Sequence, residues 1–161
     1  MGEECRTRNV VSVSHVSRMN KEQTTVQLLV RPYQTEDDYR RIQDFLREVF
    51  MLNGRREHSW HVARLDYWRW HFVLNLQVCG PLEDAVTFWE LGQIAAVMHP
   101  VGWGEVRLHV HPRFRTAALE DDMLAYAEQH LWDRSRVGRR VVWLPVFADD
   151  ALRQQVLAQR G

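Results

Sequence analysis

Apolar positions along this chain change period several times, and each change marks an element. "VQLLVRP", from Val26, is a short apolar run closed by Pro32 and predicts a strand. Thr35 then stands as a helix N-cap, with Glu36, Asp37 and Asp38 in the first turn, where the helix dipole favours acids. Tyr39, Ile42, Phe45, Leu46, Val49 and Phe50 keep the three-four spacing of one helix face. "LNGRREHS" breaks that pattern, and a second helix is predicted from about Trp60 to Leu76. Its stripe is Ala63, Tyr67, Trp68, His71 and Phe72. After Gly80-Pro81 the runs "AVTFWEL" and "QIAAVMHP" read as a hairpin turning at Gly92. "GWG" then leads into a third strand, "EVRLHVHP". A helix from Leu119 to about Asp133 is expected to bury Met123, Leu124, Ala127 and Leu131. "RVVWLPVF" reads as a buried strand, and Asp149 or Asp150 as the cap of a last helix ending at Gly161.

Three strands joined by tight turns imply an antiparallel meander, and the strand–helix–strand unit after them a parallel crossover. The expected class is α/β (α+β): a mixed, mainly antiparallel sheet flanked by helices. Residues 1–25, mixed in charge and rich in Ser and Thr around "VVSVSHV", read as a flexible arm. The domain is expected over 26–161.

Composition narrows the picture only slightly. A formal net charge of zero excludes a global field drawing the chain to nucleic acid or membrane. Two cysteines, Cys5 and Cys79, provide no disulfide framework, which fits a reducing cytoplasm. No apolar run reaches the ~18–20 residues of a membrane span. The N-terminus lacks the uninterrupted apolar core of a signal peptide. Lys21 is the sole lysine among 21 basic residues, a bias that GC-rich coding explains and that points to a bacterial source.

The element order resembles the GNAT superfamily of acyl-CoA N-acyltransferases. In that family the fourth strand ends in Val-x-Pro, followed by (Gln/Arg)-x-x-Gly-x-(Gly/Ala) and an apolar pair on the next helix. Here Val110-His111-Pro112, Arg115 and Met123-Leu124 keep that register. The resemblance implies acetyl-CoA beside the fourth strand, along Leu108 and Val110, with its phosphates at the turn formed by Arg113, Arg115, Ala118 and Glu120. The family's glycines let backbone N–H groups approach the pyrophosphate at the helix N-terminus. Ala118 and Glu120 replace them here, so the turn is expected to bind phosphate weakly. Leu157 occupies the place of the tyrosine that protonates the leaving thiolate, and Asp150 that of a frequent asparagine. Glu90 and His109 are the candidate general bases, with Glu105 behind them. The resemblance thus implies an N-acetyltransferase acting on an amine. The rival expectation is a catalytically silent domain acting through dimerisation or as half of a tandem pair. The family's fold continues through two further strands, so an uncovered "VVWLPVF" edge and a homodimer, or a second GNAT-like domain as partner, are also expected.

Two other readings are weaker. His109 and His111 lie two apart and share a strand face, with His99 on the neighbouring strand, but no carboxylate or cysteine lies at matching spacing, so no metal is expected. Arg55-Arg56 with His58 and Trp60, and Arg139-Arg140, are basic patches diluted by acids, so no nucleic acid is expected. "WHVARLDYWRWHF" carries aromatic rings on more than one helix face, which leaves some of them for a cleft or a partner surface.

Overall fold

Alternation along three central strands divides the core into two layers. The computed structural model describes residues 9–13, 26–56, 58–134 and 138–160. Strands β1 (Asn9–Val13), β2 (Val26–Pro32), β3 (Thr87–Leu91), β4 (Gln93–Gly102) and β5 (Glu105–Val110) form one antiparallel sheet in that order. On one face Trp89, Ala96, Met98, Leu108 and Val110 meet α4 (Ala117–His130) and α5 (Ala151–Arg160). On the other, Phe88, Ile94 and Val97 meet α1 (Glu36–Leu52) and α2 (Val62–Tyr67). The expected α+β class with helices on both faces is what the chain forms, but the five-stranded sheet is antiparallel throughout and the expected parallel crossover is reduced to one bridge.

Several elements differ from expectation. The "VVSVSHV" patch, read as part of a flexible arm, supplies β1, which pairs with β2 from Asn9↔Val30 to Val13↔Val26. The rest of that arm, residues 1–8 and 14–25, lies outside the described residues. The second helix starts later than Trp60 and is α-helical only to Tyr67, after which Trp68–Asn75 is wound as a π-helix. There Trp68 drops into the core and gives its indole N–H to the Pro100 carbonyl at 2.7 Å. Tyr67, Trp70 and Leu74 are left exposed. A four-residue helix, α3 (Leu82–Ala85), precedes β3 where the strand "AVTFWEL" was expected to begin.

The largest correction concerns "RVVWLPVF". Only Arg140–Val141 (β7) is a strand, and it pairs antiparallel with β6 (Asp133–Arg134) in a separate two-stranded ladder. Trp143 then forms a single parallel bridge with Glu105. Val106 donates to its carbonyl at 2.9 Å, and its own N–H donates to Gly104 O at 2.8 Å. Pro145 has no N–H to continue the ladder. Gly104 is required at this junction: its φ is +76°, and a Cβ there would meet the Val141 carbonyl at 2.9 Å. Among the described residues, no helix is long and apolar enough to cross a membrane.

Candidate functional site

The corner after β5 is built from charge. His111 Nδ1 accepts the Arg113 N–H at 3.1 Å, and Pro112–Phe114 makes one 3₁₀ turn. Thr116 caps α4, its hydroxyl accepting from Leu119 N–H at 3.2 Å. That places Glu120, in the first turn of α4, completely inside the protein. Arg115 Nε donates to it at 2.7 Å, and Arg153 of α5 donates from Nε at 2.8 Å and Nη2 at 2.9 Å. Arg115 Nη2 also donates to both Asp150 oxygens at 2.7 Å. Asp150 in turn accepts the Arg153 N–H at 3.2 Å and caps α5. Two guanidinium groups and two carboxylates therefore close on one another with no net charge.

Burial alone would raise the Asp150 carboxyl, but the hydrogen bond from Arg115 and the Arg153 amide outweigh it and hold it below the usual range. Burial likewise disfavours the Arg115 cation, yet Glu120 and Asp150 together raise its pKa above the ordinary arginine value. The other two acids of the run are engaged as well. Asp122 accepts the Trp89 indole N–H at 2.8 Å, and Asp121 pairs with Arg160. The open valences of this corner are therefore few. Ala118 and Arg113 are exposed, with Arg113 lying over the Phe114 ring. Leu108 and Val110 are buried against the α4 layer. The Leu108 carbonyl, on the open side of β5, is met by Arg153 Nη2 at 3.5 Å.

Glu90 sits in a second ion cluster. Arg31 donates to its two oxygens at 3.1 and 3.0 Å, and to Asp38 at 2.9 and 2.6 Å. Arg41 reaches Glu90 at 2.8 Å and Asp38 at 3.1 Å. Asp38 also accepts the Gln34 N–H at 2.9 Å, where it closes the start of α1. Burial works against the Asp38 carboxylate, but Arg31 and these amides prevail and set its pKa at about 2. A base must be free to take a proton, and both Glu90 oxygens face cations.

His109 lies two strands away from Glu90, with β4 between them. It is 2% exposed, its Nδ1 accepts the Trp60 N–H at 3.4 Å, and burial carries its pKa well below the ordinary value. Glu105 is ion-paired with Arg107 at 2.6 Å, and Leu157 packs against the α4-side core. The structure thus joins Arg115, Glu120 and Asp150 and leaves Glu90 and His109 apart. Arg153, absent from the sequence reading, completes the corner. Its signal was an arginine three residues before Val156, in the phase of the buried stripe of the last helix.

At the opposite end of β4 and β5, an open depression of about 440 Å³ is lined by Cys79, Asp84, Trp103, Glu105, Trp132 and Asp133, among others. Among the described residues, no group of three or more His, Cys, Asp or Glu side chains is placed to hold a metal ion. No family model, no curated protein and no solved structure matches this chain.

Proposed function

We propose that this chain is a GNAT-like domain without coenzyme activity, which works by association with a second copy of itself. The observation that carries the reading is the closed set of charges Arg115, Glu120, Asp150 and Arg153. A pyrophosphate at the start of α4 needs unspent cations and amides. Here the arginine in the family's register is held by two carboxylates, and the Leu119 amide is spent on Thr116. Bringing phosphate to this corner means either breaking buried ion pairs or placing a further anion beside the buried, already paired Glu120.

The association half rests on surface chemistry. Tyr67, Trp70 and Leu74 are about half exposed or more on one helix, and Trp143 is 60% exposed beside the β5 edge. Arg69, beside Trp70, is paired with Glu36 at 2.8 and 2.7 Å, Asp66 accepts from Tyr39 and Gln43, and the chain carries no net charge. Two copies meet there without like-charge repulsion, and the aromatic rings are the side chains that anchor interfaces. Light scattering at micromolar concentration is expected to give a mass near twice 19.2 kDa. A strictly monomeric chain that titrates with acetyl-CoA overturns the reading.

A second reading, N-acetyltransferase on an amine, draws support from two observations. Among the described residues β5 and the Trp143 segment are bonded only at one bridge, and the neighbouring depression, with Trp103 and Trp132 in its lining, has room for the apolar body of a small amine. Turnover of acetyl-CoA with any amine by the intact chain would favour it.

A further inference from the structure

Two histidines lie back to back where the sheet meets the segment between α1 and α2. His99 of β4 is wholly buried and His109 of β5 nearly so, with ring centroids 5.3 Å apart. The Trp60 ring covers both, at 5.3 and 5.1 Å, and Trp68 stands edge-on to His99 at 5.1 Å. One polar link ties the cover to the pair, the Trp60 amide donating to His109 Nδ1. Both His99 nitrogens, His109 Nε2, the Trp60 indole N–H and the Ser59 hydroxyl are buried without a hydrogen-bond partner among the described residues. Such a concentration of unmet groups in one spot asks for an explanation beyond packing.

The surrounding charges make an imidazolium here untenable. Arg107 is the ladder partner of His99, Arg64 of α2 lies over Trp60 at 5.4 Å, and the positive charge of Arg153 in α5 disfavours a second cation at His109. The carboxylates of the neighbouring elements are held elsewhere: Glu105 by Arg107, Glu48 of α1 by His111, Asp149 by Arg56 and His58. Cys79 is neutral, its thiol pushed up by burial. Burial takes His99 down to about 3, and His109 falls well below the ordinary range through burial first and then His99 and the three arginines. The folded-state values lie below the unfolded value of 6.5. The closed arrangement is therefore fully stable above that pH and loses stability as pH falls toward 3. A proton can be accepted only by a ring that has reached water.

We propose that Trp60, His99 and His109 form an acid-operated latch, in which proton uptake by either imidazole drives the Trp60 segment off the sheet face. Opening separates a short loop from β4 and β5 and leaves the helices in place. It presents Trp60 and the protonated imidazole on a surface that is closed at neutral pH.

The test uses the intact chain, titrated from about pH 7.5 to about pH 4, across the ordinary histidine range. Tryptophan emission, helical circular dichroism and the protection factor of the Trp60 amide are followed together. The latch requires a red shift and a more than tenfold loss of Trp60 protection while the helical signal is unchanged. Combining His99→Phe, which removes two unpartnered nitrogens, with His109→Asn, which keeps an acceptor for the Trp60 amide, should abolish both changes. If that variant does not fold, the order of the two wild-type signals decides. Emission unchanged to about pH 4, emission moving only with loss of helix, or a shift that persists in the folded double variant each overturns the proposal.

Discussion

Glu120 is the side chain on which the α4–α5 corner depends, because it is wholly buried and answers two arginines. Glu120→Ala leaves Arg115 and Arg153 with one carboxylate between them. It is expected to cost about 3–5 kcal/mol in urea denaturation, the usual result of stripping one member from a buried ion cluster. Glu120→Leu combined with Arg153→Met should recover most of that loss, since it removes a charge of each sign. Asp38 gives a pH-dependent counterpart. Its pKa is lowered from 3.8 to about 2, so its contribution is present above pH 3.8 and is lost as pH falls through 2. That contribution is ~2 kcal/mol by linkage. Comparing denaturation near pH 5 and near pH 2.5, Asp38→Asn should lack this part of the wild-type fall in stability. At this scale the sequence shows the charges and hides the partners. Glu120 and Arg153 are thirty-three residues apart, and only the path of the chain through β6 and β7 to α5 brings them together. An acid run at a helix start reads as exposed and capping. Glu120 instead falls in phase with Leu119, Met123 and Leu124, which carries it inward.

The elements with strict periods are those that sequence reasoning placed well. The register of α1 follows from Ile42, Phe45, Leu46 and Val49, β4 from a run too apolar for a surface, and β5 from the alternation of Val106, Leu108 and Val110 with polar residues. "RVVWLPVF" has the composition of a strand but not its hydrogen-bonding capacity, because Pro145 interrupts the donors. The π-helix over Trp68–Asn75 was equally illegible, since an extra residue per turn changes no residue type. Two measurements address this region. In amide exchange Trp143 should be protected by its bond to Gly104, with Leu144, Val146 and Phe147 exchanging faster. Gly104→Ala forces a β-carbon against the Val141 carbonyl and an unfavourable positive φ, and should cost on the order of 2 kcal/mol or more. Unchanged stability of that variant would mean that β5 and the Trp143 segment are not held as described.

For the whole molecule, the sheet order and its two helical layers bring the end of β5, the start of α4 and the start of α5 together at one corner. That corner is filled by the chain's own side chains. Trp70 on the π-helix and Trp143 are among the large apolar side chains left on the surface. Trp70→Ser together with Trp143→Ser should shift the light-scattering mass from near twice 19.2 kDa to 19.2 kDa without loss of stability. A variant that remains dimeric would place the contact elsewhere. The most direct test of the central claim is calorimetric titration of the intact chain with acetyl-CoA. The closed charge set of Arg115, Glu120, Asp150 and Arg153 predicts no saturable heat. A saturable heat at one equivalent that Arg115→Ala abolishes would contradict it, because the arginine would then be free for phosphate.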